Sequence, residues 1–152
     1  MKNSIIRKII SVCTVLILTA IFTLSIFVGF KIRDHYKSNI TDKLMDNAFL
    51  IGRSLEPSIT FQEKEKIQIE TKEISQKLGV RVTVIAGNGS VISDSEEDSD
   101  LMENHGMRHE IKSAKEKGYG ESERFSDTLK MNMKYVAVAI KEGNSNSEII
   151  RL

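Results

Sequence analysis

Within residues 93–110, SDSEEDSDLMENHGMRHE, Asp94, Glu96, Glu97, Asp98, Asp100 and Glu103 follow one another without a lysine or arginine among them, and His105 and His109 come next at a spacing of four. Three chemistries suit such a run. Alternating carboxylates are hard-cation ligands, but a calcium loop begun at Asp94 requires glycine at its sixth position and glutamate at its twelfth. Ser99 and His105 stand there instead. Two histidines four apart share a helix face and could hold zinc. Gly106 between them argues that the helix begins after it, and the order His-x-x-x-His-Glu is not the His-Glu-x-x-His of a zinc protease. The third reading is a solvated loop. Asp94 and Ser95 turn the chain through side-chain to backbone hydrogen bonds, and Asn104 or His105 caps the next helix. This last reading is favoured. No metal and no cofactor is expected.

The elements around this run follow from periodicity. Residues 9–30, IISVCTVLILTAIFTLSIFVGF, carry no charge. Such a length crosses a hydrocarbon core about 30 Å thick as a helix. Lys2, Arg7 and Lys8 precede it, and the apolar run continues past any small-x-small cleavage site, so an uncleaved signal anchor is predicted. Lys31, Arg33, Lys37 and Lys43 nearly balance the basic tail, and the short tail without acids decides the orientation. Residues 1–8 are expected in the cytoplasm and the bulk of the chain outside the cell membrane. The lone Cys13 excludes an internal disulfide framework, and a net charge of +1 gives no reason to expect nucleic acid.

Beyond the membrane, Ile32, Tyr36, Ile40, Leu44, Ala48, Ile51 and Leu55 form one helical stripe that ends before Pro57. Such a stripe serves either the domain's own core or a parallel pairing of two copies, through Ile32, Tyr36, Ile40 and Leu44. Thr60 and Glu63 match a capping box opening a second helix with Ile67, Thr71, Ile74 and Leu78 inward and Gly79 as its stop. The membrane-proximal helices thus occupy 31–79. The period then becomes two in VRVTVIA, and Asn88-Gly89 predicts a tight hairpin, because both residues tolerate positive φ. VIS returns as the partner strand. A helix over about 107–117 follows the acidic run. Residues 119–126 and 131–140 read as strands joined around Asp127. After a turn at KEGNSNS, EIIRL opens a last strand that is expected to be cut short and to fray. The fold class is α+β on an antiparallel sheet.

RVTVIAGNGSVISDS, MENH, RHEI, ERFSDTL and YVAVAI resemble, in wording and order, the extracytoplasmic sensor region of PhoR-type sensor histidine kinases, two-component signal-transduction proteins. The resemblance implies a PAS-like (PDC or Cache) sheet over 80–152. It also implies a role as signal-sensing input module. Phospho-acceptor and ATP-binding motifs are absent, so no enzyme activity is expected of this chain. Arg81, Arg124 and Tyr135 are the candidate ligand-lining residues, placed on strands facing the helix side where they could reach a small anion; a salt bridge is the plainer role for either arginine. The ligand, or a partner protein in its place, is not identifiable. A bitopic scaffold or a stand-alone exported binding module is the rival reading, and a metal-dependent hydrolase lacks a ligand set.

Overall fold

The computed structural model describes residues 2–126, 130–140 and 147–152. Two compact units divide it, Met1–Ile40 and Thr41–Leu152. The first is helix alone, the N-terminal part of α1 (Lys2–Thr60). Its side chains over 9–30 are exposed throughout. At 1.5 Å per residue this apolar stretch is about 33 Å long, enough to cross a membrane.

The second unit is a three-layer sandwich. Its elements are the rest of α1, α2 (Lys64–Leu78), β1 (Thr83–Ile85), β2 (Val91–Asp94), a one-turn 3-10 helix at Ser99–Leu101, α3 (His109–Lys117), β3 (Tyr119–Ser126), β4 (Met131–Ala139) and β5 (Ile149–Arg151). The sheet is antiparallel in the order β2-β1-β5-β4-β3. One face packs on α1 and α2, where Ala48, Ile51, Leu55 and Ile67 meet Val82, Val84, Ile150 and Leu152. The other face packs Ile85, Ala137, Ala139 and Ile149 on Ile111 and Ala114 of α3. Alternate residues of each strand therefore serve different cores, and all of β1 and β5 is buried.

The helical stripe divides at Ile40. Ala48, Ile51 and Leu55 are buried and Leu44 packs against them, so from Leu44 onward the stripe belongs to the domain's own core. Ile32 and Tyr36 are exposed. Gly52 makes this packing possible, since a Cβ there would lie 3.2 Å from Ile140 Cγ1.

Several local expectations are corrected. α1 does not stop before Pro57 but carries it inside, three residues from its end. So near a C-terminus the ring forfeits one hydrogen bond of a helix already fixed by Leu55 in the core. The capping box does not form. Thr60 closes α1, Gln62 takes φ 55°, and Glu63 becomes the N-cap of α2 without a side-chain cap bond. The hairpin is not the two-residue type. Ala86 N donates to Ser90 O and Gly89 N to Ala86 O, and only Gly89 (φ 90°) is left-handed. This is a three-residue loop with a glycine bulge, and Asn88 Oδ1 accepts from the Ser90 amide rather than adopting positive φ. β5 is not a frayed edge either. It lies in the middle of the sheet, paired to β1 and β4, with Val136 and Leu152 exchanging both backbone bonds. Gly79 and Gly118 do close α2 and α3 in the left-handed conformation. Asp127 and most of the KEGNSNS turn lie outside the described residues.

Candidate functional site

The sheet register aligns a row across all five strands on the α3 face. Asp94 of β2 pairs with Thr83 of β1, Thr83 with Arg151 of β5, Arg151 with Ala137 of β4, and Ala137 with Gly120 of β3. The last two positions are small so that α3 can lie directly on them. A Cβ on Gly120 would stand 2.7 Å from Ser113 Cβ and still nearer the Glu110 carbonyl. Where α3 begins, the row opens. Tyr135 and its partner Ser122, then Arg124, continue the same face beyond the helix. The loop carrying His105, with Arg108 as the N-cap of α3, covers them.

A cavity of about 390 Å³ results, with Arg81, His105, Arg108, Arg124, Tyr135 and Arg151 in its wall. The three residues expected from sequence, Arg81, Arg124 and Tyr135, therefore share one space. Arg124 and Arg151 both lie over the Tyr135 ring, their Cζ atoms 3.9 and 4.5 Å from its centroid. A larger groove of about 660 Å³ separates α2 from the acidic loop. Its charged groups are exposed, and Lys64 there is already paired with Asp100, so it offers no buried group in need of a partner.

Arg81 is committed to the protein. Its Nε donates to both Asp94 oxygens at 3.1 Å, and its terminal nitrogens reach Glu96 and Glu97. Burial is the largest single influence and works against its charge, yet the Asp94 bond and the charges of Asp94, Glu97 and Glu96 together outweigh it and hold the guanidinium above its ordinary pKa. Asp94 is fully buried and also accepts from Thr83 Oγ1 and the amides of Glu96 and Glu97. Burial alone would raise its pKa. These bonds overcome it and hold the carboxylate below its usual range. The turn assigned to Asp94 and Ser95 is thus real, and Ser95 Oγ accepts from Val82 N. Among the other acids of the run, Glu96 and Glu97 are exposed and Asp98 caps the 3-10 helix.

The remaining cations share one acid. Glu110, fully buried, accepts from Ser122 Oγ at 2.7 Å and meets Arg124 at 3.3 Å and Arg151 at 3.5 Å. Burial opposes its charge, but Ser122, its own amide and the two arginines keep it below its ordinary pKa. Arg151 is only 4% exposed, and its Nε and Nη1 lack a hydrogen-bond partner among the described residues. Burial, then the charge of Arg108, lowers it to about 10. Arg108 is likewise depressed, by burial and by Arg124, and makes no ion pair among the described residues. Three arginines against one glutamate leave two positive charges without a fixed counter-charge.

His105 is the third feature of this wall. His105 is 1% exposed, and neither ring nitrogen has a hydrogen-bond partner among the described residues. Burial first, then Arg108 and Arg151, lower its pKa to about 4, against a smaller opposing pull from the Glu103 carbonyl, which approaches without forming a bond. The expectation that Asn104 or His105 caps α3 fails. Asn104 Oδ1 bonds Gly106 N and its amide reaches back to Asn88 O, while the α3 N-cap has no side-chain bond. His109 is exposed, so the two histidines occupy different environments.

Periodicity pointed to Arg124 and Tyr135 because they sit on strands. It missed Arg151, Arg108, His105 and Glu110. One signal was present: an arginine inside the apolar run EIIRL is a buried cation wherever that strand is central.

A family model for single Cache-like domains matches residues 34–152. The chain belongs to the single Cache-like family. No curated protein matches. Among solved structures, the sensor domain of the V. cholerae histidine kinase DctB is similar at 14% identity with a TM-score of 0.56, over 78% of this chain and 51% of that one. This chain thus spans about half of that solved chain. At this identity the likeness is one of fold, a long N-terminal helix leading into a five-stranded antiparallel sheet with flanking helices. The single Cache-like domain here places its cationic cavity between the open half of the sheet and the loop before α3.

Proposed function

We propose that this chain is the extracytoplasmic signal-input module of a membrane-anchored, PhoR-type sensor histidine kinase, and that its signal is a small anion held in the arginine cavity. One observation carries the reading: Arg151, buried in the central strand and lining the cavity, has no hydrogen-bond partner at Nη1 among the described residues and only a 3.5 Å ion pair to Glu110 at Nε, while Arg108 and Arg124 add further positive charge to the same wall. A buried guanidinium short of hydrogen bonds is costly, and a bound carboxylate, sulfate or phosphate group would supply the missing ones. Glu97 and Glu103 at the rim oppose an anion, but the Glu97 side chain is 60% exposed and already faces Arg81, so water screens it. The family match and the fold likeness to a kinase sensor domain support the sensing role. The apolar stretch over 9–30 supports the anchor.

The test uses the full chain in lipid nanodiscs, titrated with sulfate, phosphate and succinate. Binding at about one hundred times Kd should raise stability by about 2.7 kcal/mol, seen as a higher Tm. Arg108→Ala should lose most of that gain. No Tm response to any of the three anions would sink the reading. A phosphatase fused after Leu152 should in addition be active in intact cells, whereas activity of a cytoplasmic reporter at that point would reverse the topology.

Self-association belongs to the same proposal. Leu44 packs within its own domain, which leaves Ile32 and Tyr36, both exposed, and Ile40, 38% exposed, as a seam for a second copy. Ile32→Asp should lower crosslinking in membranes with the Tm unchanged. Equal crosslinking in parent and variant would remove the seam from the proposal.

A further inference from the structure

We propose that His105 is a proton-coupled ligand donor: an anion entering the arginine cavity draws a proton onto the buried imidazole, which then donates to it, so that affinity rises as pH falls. This rests on the anion-sensing reading above and adds to it a contact residue and a regulation by pH.

The geometry comes first. The ring lines the cavity, is shielded from solvent, and has both nitrogens unpartnered. A neutral imidazole carries one donor and one acceptor, so facing an anion it wastes its lone pair; the protonated ring offers two donors. The loop holds the ring firmly. The His105 amide donates to Gly89 O at 2.8 Å and its carbonyl accepts from Arg108 N, so the backbone is pinned to the β1–β2 hairpin on one side and to α3 on the other.

The charges around the ring decide its state. From α3 come Arg108 and Glu110, from β3 Arg124, from β4 Tyr135 and from β5 Arg151. On the loop side stand Arg81 with Asp94, and Glu97 and Glu103. Arg81 is neutralised by its own acids, and Glu110 is shared between two arginines. Empty, the cavity therefore repels a proton, and the ring is neutral over the physiological range. A bound anion reverses that balance by adding negative charge where the arginines face the ring. Arg151 and Arg108 remain charged throughout, because even the lowered Arg151 value is about 10. Asp94 and Glu110 remain ionised, since both are held below their ordinary values. His105 is thus the group in this wall that can change charge near neutrality.

Linkage gives the size. With the empty-site value at about 4 and the bound-site value restored to the ordinary 6.5, affinity at pH 5 exceeds that at pH 7.5 by about 27-fold. Near pH 5.5, binding takes up close to one proton per anion, by the same arithmetic.

The experiment uses the full chain in nanodiscs with sulfate and 1,2-ethanedisulfonate, whose own charges are constant over this range. Calorimetry in buffers of differing ionisation enthalpy reads proton uptake directly. Carbon-13 labelling of the three histidines reads the His105 titration in the parent protein, with His105→Gln assigning its signal. Uptake near one proton, a His105 pKa that rises above about 6 on adding sulfate, and a pH-independent affinity in His105→Gln support the proposal. Binding without proton uptake, with the His105 signal unmoved, overturns it and leaves the anion reading standing. Absence of binding by either probe at both pH values overturns the two together.

Discussion

Glu110→Ala is expected to destabilise the sheet domain by about 3–5 kcal/mol, a large part of the stability of a domain this size. The carboxylate is fully buried and is the acid that Arg151 and Arg124 share, at 3.5 and 3.3 Å. Arg151 cannot follow its charge out to water, because β5 is hydrogen-bonded on both sides and the side chain is only 4% exposed. Removing the acid leaves a buried cation beside Arg108 and Arg124. It also strands Ser122 Oγ, which donates to Glu110 at 2.7 Å. Thermal melts should show a fall of about 15 °C or more. Glu110→Gln keeps the Ser122 bond and should lose about half as much. Sulfate should restore part of the loss in Glu110→Ala by supplying negative charge to the same arginines. A Tm within about 3 °C of the parent would show that the arginines do not depend on this acid. The acid limb follows with the same sign. Because Glu110 and Asp94 titrate below their ordinary values when folded, their contribution is present above the ordinary carboxylate range and is lost as pH falls through the lowered folded values.

Arg151→Met should act in opposite directions on stability and on binding. Methionine keeps the unbranched, apolar stem that fits the row between Thr83 and Ala137. It removes a guanidinium two of whose nitrogens are unsatisfied and whose charge is disfavoured by burial and by Arg108. Glu110 retains Ser122 and Arg124. Exchanging a poorly compensated buried ion for an apolar side chain of similar size is commonly stabilising, here by about 1–2 kcal/mol. Anion affinity should fall at least 100-fold, by roughly the 3 kcal/mol of a charge-assisted pair. Melts with and without sulfate read both effects: a higher Tm in its absence, and no further rise when it is added. A Tm lowered by more than about 5 °C would instead make Arg151 part of what holds the fold. The opposed signs distinguish a group maintained for a ligand from one maintained for structure.

The elements were legible wherever a local rule sufficed. Strand β3 over Tyr119–Ser126, the left-handed stops at Gly79 and Gly118, and the side-chain turn at Asp94 all lie where periodicity and turn chemistry put them. The misses share a cause. Pro57 reads as a helix stop, but Ala48, Ile51 and Leu55 hold the helix in the core and outweigh one lost hydrogen bond. Asn88 and Gly89 both tolerate positive φ, but in this loop Gly89 alone supplies it, with its Cα against Gly106, where a Cβ would stand 2.6 Å from Gly106 N. His105 reads as a cap from its place just before α3, whereas the wall it shares with Arg151 of β5 joins residues more than forty positions apart in the chain.

By itself the sequence determined the succession of helices and strands, the long apolar helix at the start, the α+β class, and the strand positions of Arg124 and Tyr135, whereas Arg81 lies just before β1 rather than on it. These depend on residues a few positions apart, and hydrophobic periods and turn residues report them directly. Tertiary structure alone decided that the last strand takes the middle of the sheet. It also brought Arg151 against Glu110 and Tyr135, and left the His105 ring nitrogens and Arg151 Nη1 buried without a hydrogen bond among the described residues. Strand order is set by which faces can be covered by α1, α2 and α3 together, and no local pattern encodes it. The charge of the cavity, and with it the chemistry proposed for this protein, follows from that order.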